Sequence, residues 1–257
     1  MFRTSSLMIT PLFFKGKIIM KKLDSKIKDK QILATYENYQ RWMGIKDLPL
    51  FKIKHQKTPT DGLFAEIDFE NPLTLYIDPV LWTYKTDTIA SILYHEFTHI
   101  YDACVLFGSI EARNEDLLHF YTEYHATQIQ VLKNCEFDDQ KEIVLINRKR
   151  YEDLWIKAII ECISPFDVLA YKKAKRNLGY YLGASNMYHN ICQNPRDAIE
   201  IKNPIKTFNQ YIDPIKEILL PLNNDNIPNL ETLQKLRTVE VEFDEAFIML
   251  TLLNNKK

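Results

Sequence analysis

Residues 86–108 read TDTIASILYHEFTHIYDACVLFG, and the pentapeptide at the centre, His95-Glu96-Phe97-Thr98-His99, decides how the chain is read. Ile89, Ile92, Leu93, Phe97, Ile100, Ala103 and Cys104 recur mostly at three- and four-residue steps, the spacing of one helix face. Thr86 and Asp87 offer N-cap oxygens and Gly108 a C-terminal stop, so the spacing predicts a helix over 87–107. It is long and mostly apolar, so it should be a central buried element. On such a helix His95 and His99 project from one face about a turn apart, and both imidazoles can reach a single ion. Glu96 sits beside them, placed to hold a water at that ion and take its proton. The pattern points to a zinc-dependent hydrolase. Only three of the five positions are constrained, and the competing reading is a surface helix that carries two histidines, so context has to decide.

Catalytic zinc sites commonly take three protein ligands and leave one position open. A metzincin pattern would place Gly three residues after the second histidine and a third His three further on; here those positions hold Asp102 and Val105, which excludes that class. After Gly108, the segment from Ser109 to Leu132 is again helical in pattern, and the two helices should form an antiparallel hairpin. Counting back from the turn at equal rise sets Glu111 near residue 106, Glu115 near 102, and His119 and Glu123 beside His99 and His95. Two residues therefore reach the metal by this count, His119 and Glu123. Glu123 is favoured because a carboxylate completes a His2Glu set; against it stands the reading of Glu123 as part of a solvated polar stripe.

A strand ending in a Tyr-Ile-Asp-Pro turn (Leu73 to Pro79), the His95-Glu96-x-x-His99 helix and a following helix bearing Glu123-x-x-Ala126 together resemble the gluzincin metallopeptidases. Within them they resemble the ImmA/IrrE-type family of small cytoplasmic enzymes. The likeness covers roughly residues 50–132. It implies zinc held by His95, His99 and Glu123, with Glu96 as general base. The region after 135 has no counterpart in this resemblance, and no substrate is carried over from it.

Upstream of the motif, residues 51–54, 63–69 and 73–77 are strand-like, with Asp61-Gly62 and Asn71-Pro72 as turns, and are expected to form a small antiparallel sheet. An extended peptide can add to the edge of such a sheet with its scissile carbonyl over the metal; an ordinary scaffold sheet with a capped edge reads equally well. Asp102, three residues after His99, is placed to accept the second N–H of a metal-bound imidazole or to pair with a cation. A donor to the tetrahedral oxyanion is also expected. Tyr180, Tyr181, Tyr188 and His189 are its candidates, against the plainer reading that each packs in the core.

The remaining chain bounds the answer. At 257 residues, 46% hydrophobic and 26% charged, it can bury a full core. Gly is scarce, at 6, and residues 24–42, 139–182, 205–220 and 229–254 carry helical spacing, so the expected class is α+β, mainly helical, with a small sheet packed on the motif helix. Prolines at 165, 195, 204, 214, 221 and 228 should break the second half into several helices. We divide the chain into a leader (1–22), a zincin-like core (23–135) and a helical extension (136–257). Met20-Lys21-Lys22 resembles a second start, and the run to Phe14 is interrupted by Thr10-Pro11, which makes a poor secretory signal. Cys104, Cys135, Cys162 and Cys192 have neither CxxC spacing nor disulfide density and read as reduced and buried. No stretch has the length of a membrane span, so the expected setting is the cytoplasm. A net charge of -1 gives no overall pull toward nucleic acid, and the clusters Arg148-Lys149-Arg150 and Lys172, Lys173, Lys175, Arg176 read as solvated faces.

Two functions fit this sequence. The first is a single-zinc peptidase acting on a peptide or protein substrate, with Glu96 as general base. The second is a non-enzymatic protein of the same fold that uses the metal for stability and residues 136–257 for binding a partner. The intact Glu96 favours the first, because a structural metal needs ligands but no base.

Overall fold

The computed structural model describes residues 25–59, 64–70, 72–137, 139–162, 167–192, 208–223 and 226–254. The leader and the Asp61-Gly62 turn lie outside these residues. The described chain is mainly helical around one three-stranded sheet, as the spacing predicts.

Helix α1 (Ser25–Trp42) is followed by strands β1 (Lys52–His55), β2 (Ala65–Asp68) and β3 (Thr74–Ile77). A 3-10 turn over Pro79–Thr83 leads into α2 (Thr86–Phe107), the motif helix, and then α3 (Glu115–Asn134). Four more helices complete the described chain: α4 (Gln140–Glu161), α5 (Val168–Cys192), α6 (Asn209–Leu219) and α7 (Leu230–Asn254). Pro214 does not break α6; it lies inside it and forfeits one backbone hydrogen bond while the helix continues.

The sheet has the order β1-β3-β2. β2 and β3 pair antiparallel, with Ile67 opposite Leu75, as expected of a short connection. β1 departs from expectation: it runs parallel to β3, with Ile53 opposite Leu75. The physical reason is insertion. β3 sits between β1 and β2 rather than at the end of a meander, and two outer strands antiparallel to each other force one parallel pair. β2 is thereby left at the edge that faces α2.

Asp78 closes β3 by accepting a hydrogen bond from Val80 N at 2.7 Å, with Pro79 at the first position of the 3-10 turn. The start of α2 differs from the reading: Lys85 is the N-cap and makes no side-chain bond, while Asp87 lies in the first turn, where its charge suits the helix dipole. The end is as read, with Gly108 at φ 80 and its N–H bonded to Cys104 O at 2.9 Å.

Opposite the histidines, α2 is clamped by α1 through aromatic packing. Tyr36 meets Phe97 edge-on at 4.7 Å between ring centres, and Tyr39 packs on Tyr94 at 5.1 Å. The Tyr39 hydroxyl donates to Thr98 Oγ1 at 3.2 Å, so this buried polar group is satisfied. On the far side, α5 lies along both α3 and α4, and a Lys175 ammonium bonded to Glu240 (2.6 Å) and Asp244 (2.9 Å) ties α5 to α7. Cys135 and Cys162 are buried as read, Cys104 and Cys192 only half-buried; all four are free thiols. Among the described residues no helix is long and apolar enough to cross a membrane.

Candidate metal centre

α2 and α3 form the expected hairpin, but the connection is longer than a turn. Gly108 ends α2, and α3 begins only at Glu115, capped by Asn114 Oδ1 accepting from Leu117 N at 3.2 Å. The helical segment expected from Ser109 therefore starts six residues later. This shifts the pairing by about one helical turn, and a shift of one turn keeps the same face toward α2. Glu123 consequently still meets the histidines, while Asp102, which the count set near Glu115, lies beside Thr122 and His125.

Glu123 Oε2 is 3.4 Å from His95 Nε2 and 3.9 Å from His99 Nε2. Among the described residues, these three side chains are the group of His, Cys, Asp and Glu donors that can hold a metal ion, with ligand atoms all within 4.8 Å of one another. His119 lines the same cleft but stands outside that group. The donors fit a divalent ion. Three atoms each about 2.0–2.2 Å from a tetrahedral centre are roughly 3.3–3.6 Å apart. Glu123 Oε2 is moreover buried without a well-formed hydrogen bond among the described residues, a costly state for a carboxylate oxygen that a cation would relieve.

The electrostatics agree with a site that needs positive charge. Burial raises the Glu123 carboxyl, but the His95 contact, with the His99 imidazole and the Arg176 guanidinium adding to it, outweighs this and holds the group down at about 2. Burial pushes His99 down to about 4, so its imidazole is neutral, the form that ligates metal. Burial also lifts Glu96 to about 8, against the pull of His95. Glu96 Oε2 accepts a 3.1 Å hydrogen bond from Ile67 N, so the edge strand β2 orients this carboxylate directly.

Behind the candidate ligands runs a chain of polar contacts. His99 Nδ1 donates to Thr122 Oγ1 at 2.8 Å, Thr122 donates on to Asp102 Oδ2 at 2.8 Å, and Asp102 Oδ1 lies 2.7 Å from His125 Nδ1. Asp102 thus serves His99 as its position suggests, but through a threonine hydroxyl. His95 Nδ1 has no hydrogen-bond partner among the described residues.

The cleft over this centre has a volume of about 230 Å³. Its walls come from β2 (Ala65, Glu66, Ile67), from α3, and from α5 through Arg176 and Tyr180. Of the four candidate oxyanion donors only Tyr180 lines the cleft, its ring 5.5 Å from His95 and 5.4 Å from Tyr151. Burial holds its phenol well above the ordinary range, hence protonated. Tyr181 is buried elsewhere and donates to Glu152 at 3.1 Å, and Tyr188 lies under the Arg148 guanidinium. The basic run of α5 also divides: Lys172 and Lys173 are solvated as read, but Lys175 is held by α7 and Arg176 turns into the cleft. The sequence reading takes Arg176 as solvated and gives Thr122 no role; the available signal for Arg176 was its helical phase, four residues before Tyr180, and Thr122 carried none.

No known protein family, curated protein or solved structure matches this chain.

Proposed function

We propose that this chain is a zinc-dependent peptidase of the gluzincin kind, with His95, His99 and Glu123 as the ligands and Glu96 as the general base. The observation that carries the reading is the meeting of the His95 and His99 imidazoles with the Glu123 carboxylate, beside a separate buried carboxylate that ligates nothing. A metal that served stability alone would leave Glu96 buried to no purpose, at the cost of its desolvation.

Zinc, when bound, supplies a Lewis acid that polarises the scissile carbonyl and acidifies water at its open position. The chain supplies the proton handling. Glu96, held by the Ile67 amide and brought to its carboxylate form by the positive charge of a bound ion, would take the proton of the attacking water and return it to the leaving amine nitrogen. Tyr180 donates its hydroxyl to the oxygen of the tetrahedral carbon as charge develops there, a role its protonated phenol and its place in the cleft wall allow. The apolar walls Ala65 and Ile67 and the α3 residue Leu118 exclude bulk water from the reacting bond. An ImmA/IrrE-type enzyme working in the cytoplasm is the closer reading within this class, resting on the arrangement of strand, motif helix and Glu-bearing helix.

The test measures zinc content and cleavage of a broad peptide library in the wild type, Glu123→Ala and Glu96→Gln. Glu123→Ala is expected to lose the metal; Glu96→Gln is expected to keep it and lose activity by about 10²–10⁴-fold or more. Full zinc retention in Glu123→Ala removes the ligand assignment. A wild type that binds zinc and cleaves nothing leaves the non-enzymatic reading in its place.

A further inference from the structure

Arg176 is a guanidinium in the wall of the proposed hydrolytic cleft, within the field of Glu123, Glu66 and Glu96 but in salt-bridge contact with none of them. Its Nε is buried without a hydrogen bond, and among the described residues it makes no ion pair. The carboxylates around it are engaged elsewhere. Glu123 turns to the two imidazoles, Glu96 to the Ile67 amide, and Glu115 to Arg113 at 2.6 Å. Glu66 is exposed and makes no ion pair with it among the described residues. The neighbouring Lys175 absorbs the acids of α7, Glu240 and Asp244, so that helix supplies Arg176 with nothing.

This arrangement has a cost that the free protein does not recover. A half-buried guanidinium surrenders hydration, and its five donors in a planar fork match a carboxylate in two parallel bonds. The fork also stands in the right place. Arg176 is one helical turn from Tyr180 on the face of α5 that lines the cleft, and Tyr180 packs on the ligand His95. With a divalent ion balancing Glu96 and Glu123, and Arg113 balanced by Glu115, Arg176 is the charge of the cleft wall left for a ligand.

Building on the peptidase reading, we infer that Arg176 anchors a carboxylate of the substrate, so that the cleft selects peptides bearing a carboxylate close to the scissile bond. The carboxylate has two possible sources, an acidic side chain or the free C-terminus. Both present the same planar pair of oxygens, and the probes below separate them.

The experiment is a binding measurement on zinc-loaded protein carrying Glu96→Gln, which makes it independent of cleavage. The probes are fluorescent, N-terminally blocked hexapeptide mixtures with Glu or Gln fixed at each position in turn, each with a free or an amidated C-terminus. One carboxylate form is expected to bind about tenfold or more tighter than its amide twin. In Glu96→Gln/Arg176→Gln that preference falls to about one while zinc content stays unchanged. Arg176→Lys, which keeps the charge but not the fork, should retain part of it and serves if the glutamine variant does not fold. A preference at one Glu position identifies an acidic side chain; a preference for the free terminus identifies the C-terminus. Equal binding of every pair, failure of all mixtures to bind, or a preference that survives in Arg176→Gln, as direct capture by zinc would give, overturns the inference. Loss of peptidase activity in the wild type bears on the proposed function alone, because this readout involves no turnover.

Discussion

Thr122 shows how a single hydroxyl can set the chemistry of a proposed metal ligand. Its proton goes to Asp102 Oδ2, which leaves its oxygen to accept the N–H at His99 Nδ1 and so keeps the Nε2 lone pair free for an ion shared with Glu123. Thr122→Val removes this acceptor at nearly constant shape and strands the His99 N–H. Zinc affinity is expected to fall about 10–100-fold, read by competition against a chromogenic chelator, and Thr122→Ser is expected to restore most of it. Affinity within twofold of wild type in the valine variant would show that the contact does not act on the metal. Asp102→Ala is the harsher change, since it removes the partner of both Thr122 and His125 Nδ1, and about 1–3 kcal/mol of stability is expected to go with it in chemical denaturation. At this scale the sequence was legible where residue types are scarce and informative. His95, Glu96 and His99 declare themselves by spacing, and Asp102 by its helix phase. Thr122 does not, because a mid-helix threonine has no signature until its register against α2 is known.

Between elements, the decisive contact is α5 on α3, and two glycines make it. A Cβ at Gly183 would overlap the carbonyl oxygen of Tyr124, and one at Gly179 would lie 3.2 Å from the Cβ of Glu123 itself. Each glycine costs helix propensity, about 1 kcal/mol relative to alanine, so close approach must more than offset it. Gly183→Ala is therefore expected to destabilise by about 1–3 kcal/mol in urea unfolding, although the same change in an isolated helix would stabilise. A neutral or stabilising result would mean that α5 does not pack this closely. Gly179→Ala presses on the Cβ of Glu123, a proposed ligand, and is expected to lower zinc affinity more than stability. Helical spacing over 139–182 includes Gly179 and stops one residue short of Gly183, yet it names no partner, since a periodic face is the same whichever helix covers it. The parallel pairing of β1 with β3 was hidden for the same reason: alternation fixes which side of a strand is buried but not the order of strands. The Glu123 register survived a misread connection because the error was close to one turn.

For the whole molecule, the proposed metal centre joins parts far apart in sequence, with candidate ligands from α2 and α3, an orienting amide from β2 and a wall from α5. Unfolding scatters all of them, so an ion held there would bind the native chain in preference to the unfolded one, and zinc is expected to stabilise it. By linkage, free zinc at one hundred times its dissociation constant adds about 2.7 kcal/mol. For a chain of this size roughly 2–4 °C of Tm accompanies each kcal/mol, so a rise of about 5–10 °C is expected in thermal denaturation. The dependence on free zinc should be logarithmic above saturation, and a chelator should reverse it. Glu123→Ala separates this from a generic effect of ions on the surface, because its Tm should not move with zinc. Thr122→Val should follow the wild-type curve displaced to about 10–100-fold higher zinc. A wild-type Tm that ignores zinc and chelator alike would mean that His95, His99 and Glu123 meet without binding the ion. An equal rise in wild type and Glu123→Ala would place the binding elsewhere on the chain.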